Sequence, residues 1–247
     1  SIVLNKDDPS FSRWLDDCKS MSIISFSLND PTADIFVLEA QYQTDRSLIE
    51  VSVFGEILNV QLNAPGQHIV QNALAAMAVG SFLKITARNI INGLALFKNC
   101  AGRLQKHSFE NVTIWDDSYN ANPASIKSAV DVLALQNGKK IMVLGDMAEM
   151  DSHIKQYSNE LKRYISTKVD YLMTVGKNSN LISNNLKNAQ HFESQELVVD
   201  ALIAMCQPND FKSIDIMVKG SRSAKMENVV KQFITLIKES KNDLLVN

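Results

Sequence analysis

At 247 residues the chain can bury a sizeable core, and it sits at the length where one core often divides into two. Its composition is that of an ordinary globular protein, 45% hydrophobic and 21% charged. With 25 basic against 27 acidic side chains, a net charge of −2, it has no electrostatic footprint of a nucleic-acid or anionic-membrane binder.

No apolar run approaches the roughly 18–20 residues that span a bilayer. Three scattered cysteines, Cys18, Cys100 and Cys206, form no C-x-x-C pair and predict buried thiols in a reducing, cytoplasmic compartment. The opening Ser1-Ile2-Val3-Leu4-Asn5 reads as an internal strand, not as a secretory leader. The expectation is a chain cut from something longer.

The first hundred residues predict an α+β pattern. Short apolar strands at 2–4 and 23–26 flank a helix near 11–18, and residues 34–43, 48–54 and 57–63 alternate as antiparallel strands do. Gly55-Glu56 between the last two suits a hairpin turn of type II′. After Pro65-Gly66 the period becomes helical over 72–83 and 86–97, with Thr86 placed to cap the second helix.

From about Gly102 the grammar is strand, helix, strand. Apolar runs at 112–115, 141–144, 171–175 and 214–218 predict buried parallel strands, and amphipathic stretches at 125–135, 153–165, 197–206 and 224–237 predict the helices between them. The fold class is α/β, with a Rossmann-like doubly wound sheet. Ligands bind such sheets beyond the carboxyl ends of the strands. There the sequence gathers polar groups: Asp116-Asp117-Ser118-Tyr119-Asn120-Ala121-Asn122-Pro123, then Gly145-Asp146, then Lys219-Gly220-Ser221-Arg222-Ser223. The last is read as two cations at a helix N-terminus, fit for a carboxylate or phosphate. Acids and bases along one edge suit a zwitterion such as an amino acid or peptide. Asn122 and Ser125 read equally well as a helix start; for Asp146 the alternative is a turn cap, and for Glu149 surface charge. Trp14 and Trp115 are read as core aromatics, the scattered methionines as core filler, and His107, His153 and His191 as surface or packing histidines.

Five stretches carry a resemblance. Pro65-Gly66-Gln67-His68 runs on to Asn72-Ala73-Leu74-Ala75-Ala76; then come Gly102-Arg103-Leu104, DDSYNANPAS at 116–125, VLGDMAEM at 143–150 and VKGSRSAKME at 218–227. In order and spacing they resemble the Mur ligases, and within them the type that adds D-alanyl-D-alanine to UDP-N-acetylmuramoyl-tripeptide in peptidoglycan synthesis. The resemblance implies that residues 1–100 are the latter part of the central ATPase domain and 101–247 the Rossmann-like C-terminal domain. It implies ATP and Mg2+ as cofactors, D-alanyl-D-alanine and UDP-N-acetylmuramoyl-tripeptide as partners, and no nucleic acid or membrane insertion.

By the same resemblance His68, Asn72, Arg103 and Asp117 bind nucleotide, with Arg103 also catalytic on the ATP phosphates. Asn120, Asn122, Asp146, Lys219, Gly220, Ser221 and Arg222 line the dipeptide site. The family carries Asn after its histidine, where this chain has Ile69, which offers no amide. No G-x-x-x-x-G-K-[ST] phosphate loop occurs in the 247 residues, so the expectation is a polypeptide inactive alone. The competing reading is a non-catalytic Rossmann-like binding or regulatory module derived from such a ligase.

Overall fold

The computed structural model describes residues 1–148, 154–206 and 212–244. Glu149 and His153 therefore lie outside the described residues, as do the last three, 245–247, of the end expected to fray from Glu239; as far as Leu244 that end is helical instead. The chain divides into two compact units, Ser1–Lys98 and Asn99–Asn247.

The first unit is a five-stranded sheet in simple order: β1 (Ile2–Asn5), β2 (Ile23–Ser27), β3 (Ile35–Tyr42), β4 (Ser47–Val53) and β5 (Glu56–Leu62). Strands β1 to β3 run parallel, whereas β3, β4 and β5 are antiparallel. The short helix α1 (Phe11–Asp17) joins the first two strands. Period-two alternation sends Ile49, Val51, Leu58, Val60 and Leu62 to one face. There they meet Val70, Ala73, Leu74 and Met77 of α2 (Gln67–Phe82). Each of these side chains larger than alanine contributes about 1.5–3 kcal/mol by leaving water. Helix α3 (Ala87–Ala95) follows, and Thr86 caps it by accepting from the Asn89 amide at 3.4 Å.

Two expectations for this unit need correction. The hairpin turn is Phe54-Gly55, not Gly55-Glu56: Val53 pairs with Glu56, and both turn residues have positive φ, 49° and 86°. That is the signature of type I′. Helix α2 also begins five residues earlier than its apolar period suggests, because Gly66 at φ 110° turns the chain directly into it.

The second unit holds a six-stranded sheet in the order β10-β9-β8-β11-β7-β6. Its strands are β6 (Gln105–Phe109), β7 (Val112–Asp117), β8 (Lys139–Leu144), β9 (Tyr171–Val175), β10 (Ala189–Phe192) and β11 (Ile214–Lys219). All are parallel except β6, which pairs antiparallel with β7 at the edge. Helices α4 (Pro123–Ala134) and α5 (Ile154–Ser166) pack together, α4 lying against β8 and β11. Helices α7 (Gln195–Cys206) and α8 (Glu227–Leu244) bury Val198, Val199, Leu202, Val229, Val230 and Phe233 against Ile114, Ile141, Val143, Ile214, Ile216 and Val218. The short α6 (Asn180–Ser183) links β9 to β10.

The amphipathic segment expected over 224–237 starts later than its sequence suggests. A 3₁₀ turn occupies Arg222–Ala224, Lys225 is left-handed at φ 49°, and α8 begins only at Glu227. The basic loop is thus separated from the helix N-terminus it was expected to share. Cys18 and Cys206 are half-buried and Cys100 is exposed, so the expectation of three buried cysteines also fails. Trp115 is a core residue, whereas Trp14 is exposed. Among the described residues no helix is long and apolar enough to cross a membrane.

Candidate functional site

Three loops leave the second sheet at one level. Strand β11 lies between β7 and β8, and its last residue, Lys219, is in register with Asp117 on one side and Leu144 on the other. The chain then passes to helices on different faces, α4 and α5 after β7 and β8, α8 after β11. This is the switch geometry at which open α/β sheets form a crevice. Because β6 runs antiparallel, with Gln105 opposite Asp116, the preceding turn at 102–104 reaches the same rim. Asp117, Asn120, Asn122, Asp146, Lys219, Gly220, Ser221, Arg222 and Arg103 are all carried on this carboxyl rim.

Several of these groups are bound by the protein itself. Lys219 is 3% exposed, and its ammonium donates to Asp117 Oδ2 at 2.6 Å and to the Asn120 carbonyl at 2.9 Å. The other Asp117 oxygen accepts from the Leu104 amide at 3.2 Å. Burial raises the Asp117 carboxyl above the usual carboxylate range, and the Lys219 ammonium and the Leu104 amide offset that rise only in part. Lys219 therefore acts here as a buried counter-ion that fixes the Asp117–Asn120 loop.

Asp146 is engaged just as fully. Its Oδ1 accepts from the amides of Asn178 and Ser179 at 2.9 and 2.8 Å, and its Oδ2 from that of Lys177 at 2.9 Å. Its carbonyl receives the Ser221 amide at 2.8 Å, and the Gly145 amide reaches the Lys219 carbonyl at 2.8 Å. The Asp146 carboxylate thus ties the loop after β8 to that after β9, and backbone bonds of Gly145 and Asp146 tie it to the loop after β11. The approach needs glycine at 176, which sits at φ 117° with its would-be Cβ 2.6 Å from the Asp146 carboxylate carbon. Gly220 is constrained by space alone, since a Cβ there would lie 2.4 Å from Met226 Cγ.

Asn122 closes a capping box with Ser125: its side chain accepts from the Ser125 amide at 2.8 Å, and Ser125 Oγ accepts from the Asn122 amide at 3.0 Å. The helix-start reading of this pair is the geometry found. Buried Ser221 shares a 3.0 Å hydroxyl contact with Ser223.

Other groups face outward. Asn120 is exposed, its side-chain oxygen taken by the Ala121 amide at 2.9 Å. The Arg222 side chain is 67% exposed and rests on Glu227 Oε1 at 2.9 Å, a partner four-fifths buried. Arg103 is exposed, with its guanidinium carbon 4.3 Å from the centroid of the Tyr119 ring. Tyr119 was not singled out from the sequence; the available signal was one aromatic inside an otherwise polar loop. His68, half-buried, and Asn72, exposed, lie one turn apart on α2 of the first unit and share a helix face. Among the described residues no group of three His, Cys, Asp or Glu side chains could hold a metal ion.

Comparison with known proteins gives a consistent picture. The family described as Mur ligase, glutamate ligase domain, matches residues 102–222, and the Mur ligase middle domain matches residues 1–80. The UDP-N-acetylmuramoyl-tripeptide–D-alanyl-D-alanine ligase of Buchnera aphidicola subsp. Acyrthosiphon pisum is 32% identical over 244 residues, 98% of this chain and 52% of that protein. The ligase of the same name from Escherichia coli K12 is 32% identical over 231 residues, 93% of this chain and 51% of that protein. A crystal structure of MurF from Acinetobacter baumannii superposes with a TM-score of 0.87 at 28% identity, covering 94% of this chain and 51% of that one. The chain thus spans about half the length of the relatives it matches.

Proposed function

Since this chain belongs to the Mur ligase family, we propose that it serves an ATP-dependent ligase that joins D-alanyl-D-alanine to UDP-N-acetylmuramoyl-tripeptide in peptidoglycan precursor synthesis. Residues of the first unit belong to its central domain and those of the second to its C-terminal domain. In the proposed reaction the tripeptide carboxylate takes the γ-phosphoryl group of ATP, giving an acyl phosphate and ADP. The dipeptide amine then attacks the acyl carbon, and phosphate leaves. A cytoplasmic location, where the nucleotides are, belongs to the same proposal.

The observation that carries this reading is the division of the rim. Asp146 and Lys219 are spent on shape, and Arg103, Arg222 and Asn120 are left pointing outward. Arg103 supplies positive charge to phosphate oxygens, where charge-assisted bonds are strongest. Asp117, held by Lys219, retains lone pairs for ribose hydroxyls. Arg222, with Ser221 and Gly220 shaping its loop, takes the dipeptide carboxylate, and Asn120 and Asn122, whose side-chain oxygens serve the Ala121 and Ser125 amides, orient the peptide with their NH2 groups. His68 and Asn72 contact the base. Magnesium enters this proposal with ATP, and the described residues offer it no group of three His, Cys, Asp or Glu ligands.

Calorimetric titration of D-alanyl-D-alanine into the wild type and Arg222→Ala tests the assignment. Loss of a charge-assisted contact weakens binding about tenfold or more. Equal affinity in the two proteins, or no binding to the wild type, would overturn it.

A further inference from the structure

Arg103 is anchored in an unusual way for a surface cation. The backbone around it is bolted to the strand end beside it: the Tyr119 amide donates to the Gly102 carbonyl at 2.9 Å, the Arg103 amide to Cys100 at 3.0 Å, and the Leu104 amide to Asp117. Gly102 sits at φ 70° with no room to spare, since a Cβ there would be 3.2 Å from the Tyr119 nitrogen. Leu104, also at positive φ, is buried. The root of the Arg103 side chain is thus fixed, and its guanidinium lies against the Tyr119 ring.

The choice of partner decides what this cation can do. Lys219 is held by a carboxylate, and so is Arg222, each with its charge opposed. No carboxylate pairs with Arg103 among the described residues. An aromatic face holds a guanidinium without cancelling its charge and without occupying the N–H donors in its plane. A ring therefore orients the group while leaving it free for a bidentate anion.

We propose that Tyr119 is a positioning residue for Arg103, holding its guanidinium at the rim as a ready receptor for the phosphate groups of the nucleotide. The proposal rests on the reading of Arg103 as a phosphate ligand. It assigns Tyr119 no contact with the ligand itself.

The test is calorimetric titration of tripolyphosphate into the 247-residue chain and its variants. Tyr119→Phe keeps the ring and binds as the wild type does. Tyr119→Leu binds about two- to fivefold more weakly, the worth of an exposed cation–π contact. In an Arg103→Ala background Tyr119→Leu has no further effect, which a merely structural role would not produce. Tyr119 is 45% exposed, so its variants are expected to fold; a circular dichroism melt within a few degrees of the wild type confirms this.

Unchanged affinity in Tyr119→Leu while Arg103→Ala is weakened would overturn the role of Tyr119 alone. Unchanged affinity in Arg103→Ala, or no binding by the wild type, would overturn the phosphate reading and this proposal with it.

Discussion

On the β8–β9 side of the rim the polar groups look inward; on the β6–β7 side they look outward. Asp146 accepts three backbone amides near 2.9 Å on its two carboxylate oxygens, and the loops it joins gain their shape from it. Towards the other edge of the sheet, just before β6, Arg103 lies on an aromatic ring with no carboxylate partner among the described residues. Both are charged side chains in loops at strand ends, and their sequence contexts look equally suited to a ligand. The difference teaches that a charge at a strand end has two possible duties. Burial and partners, not residue type, tell which one it performs. Asp117 stands between the two: it is paired with Lys219 from behind yet remains partly exposed in front.

The contrast can be broken by measurement, beginning with the inward set. Lys219→Met leaves a mostly buried Asp117 carboxylate without its counter-ion, and such a loss costs about 3–5 kcal/mol. Urea denaturation would show it as a lower midpoint with an unchanged slope. A cost below about 1 kcal/mol would mean that the pair is not a structural element. Asp146→Ala strands three amides and removes three charge-assisted bonds, for roughly 2–3 kcal/mol. Its sharper signature is local: hydrogen exchange at Lys177, Asn178 and Ser179 speeds up, while amides in the middle of β7 change far less. Uniform acceleration across the sheet would argue against a tether between loops.

Much of the architecture was legible in the sequence because its signals are local. Four buried strands of the second sheet announce themselves as apolar runs, and Thr86 and Asn122 sit where caps belong. The strands that were missed are at edges. β6 reads QKHSF and β10 reads AQHF, too polar and too short for a pattern tuned to buried strands. The start of α8 was misplaced because Ala224 and Lys225 are good helix formers, and only the left-handed turn at Lys225 delays the helix.

The site was legible as a rim but not as a division of labour. Asp146 finds its partners 31 to 33 residues further along, and Lys219 meets Asp117 across 102 residues. No window on the sequence spans such contacts. The Arg103–Tyr119 stack falls in the same class, since a polar run with one tyrosine gives no hint of what its ring covers.

The outward set supplies the most direct test. Arg103 and Arg222 are exposed, and the Arg222 side chain that pairs with Glu227 remains 67% open to solvent, which screens the pair. Equilibrium denaturation of the double variant Arg103→Ala/Arg222→Ala, measured beside the wild type, should give an unfolding free energy within about 1 kcal/mol of it. A loss of about 3 kcal/mol or more, as expected for Lys219→Met, would show that these cations also serve the fold and would contradict the partition on which the functional reading stands.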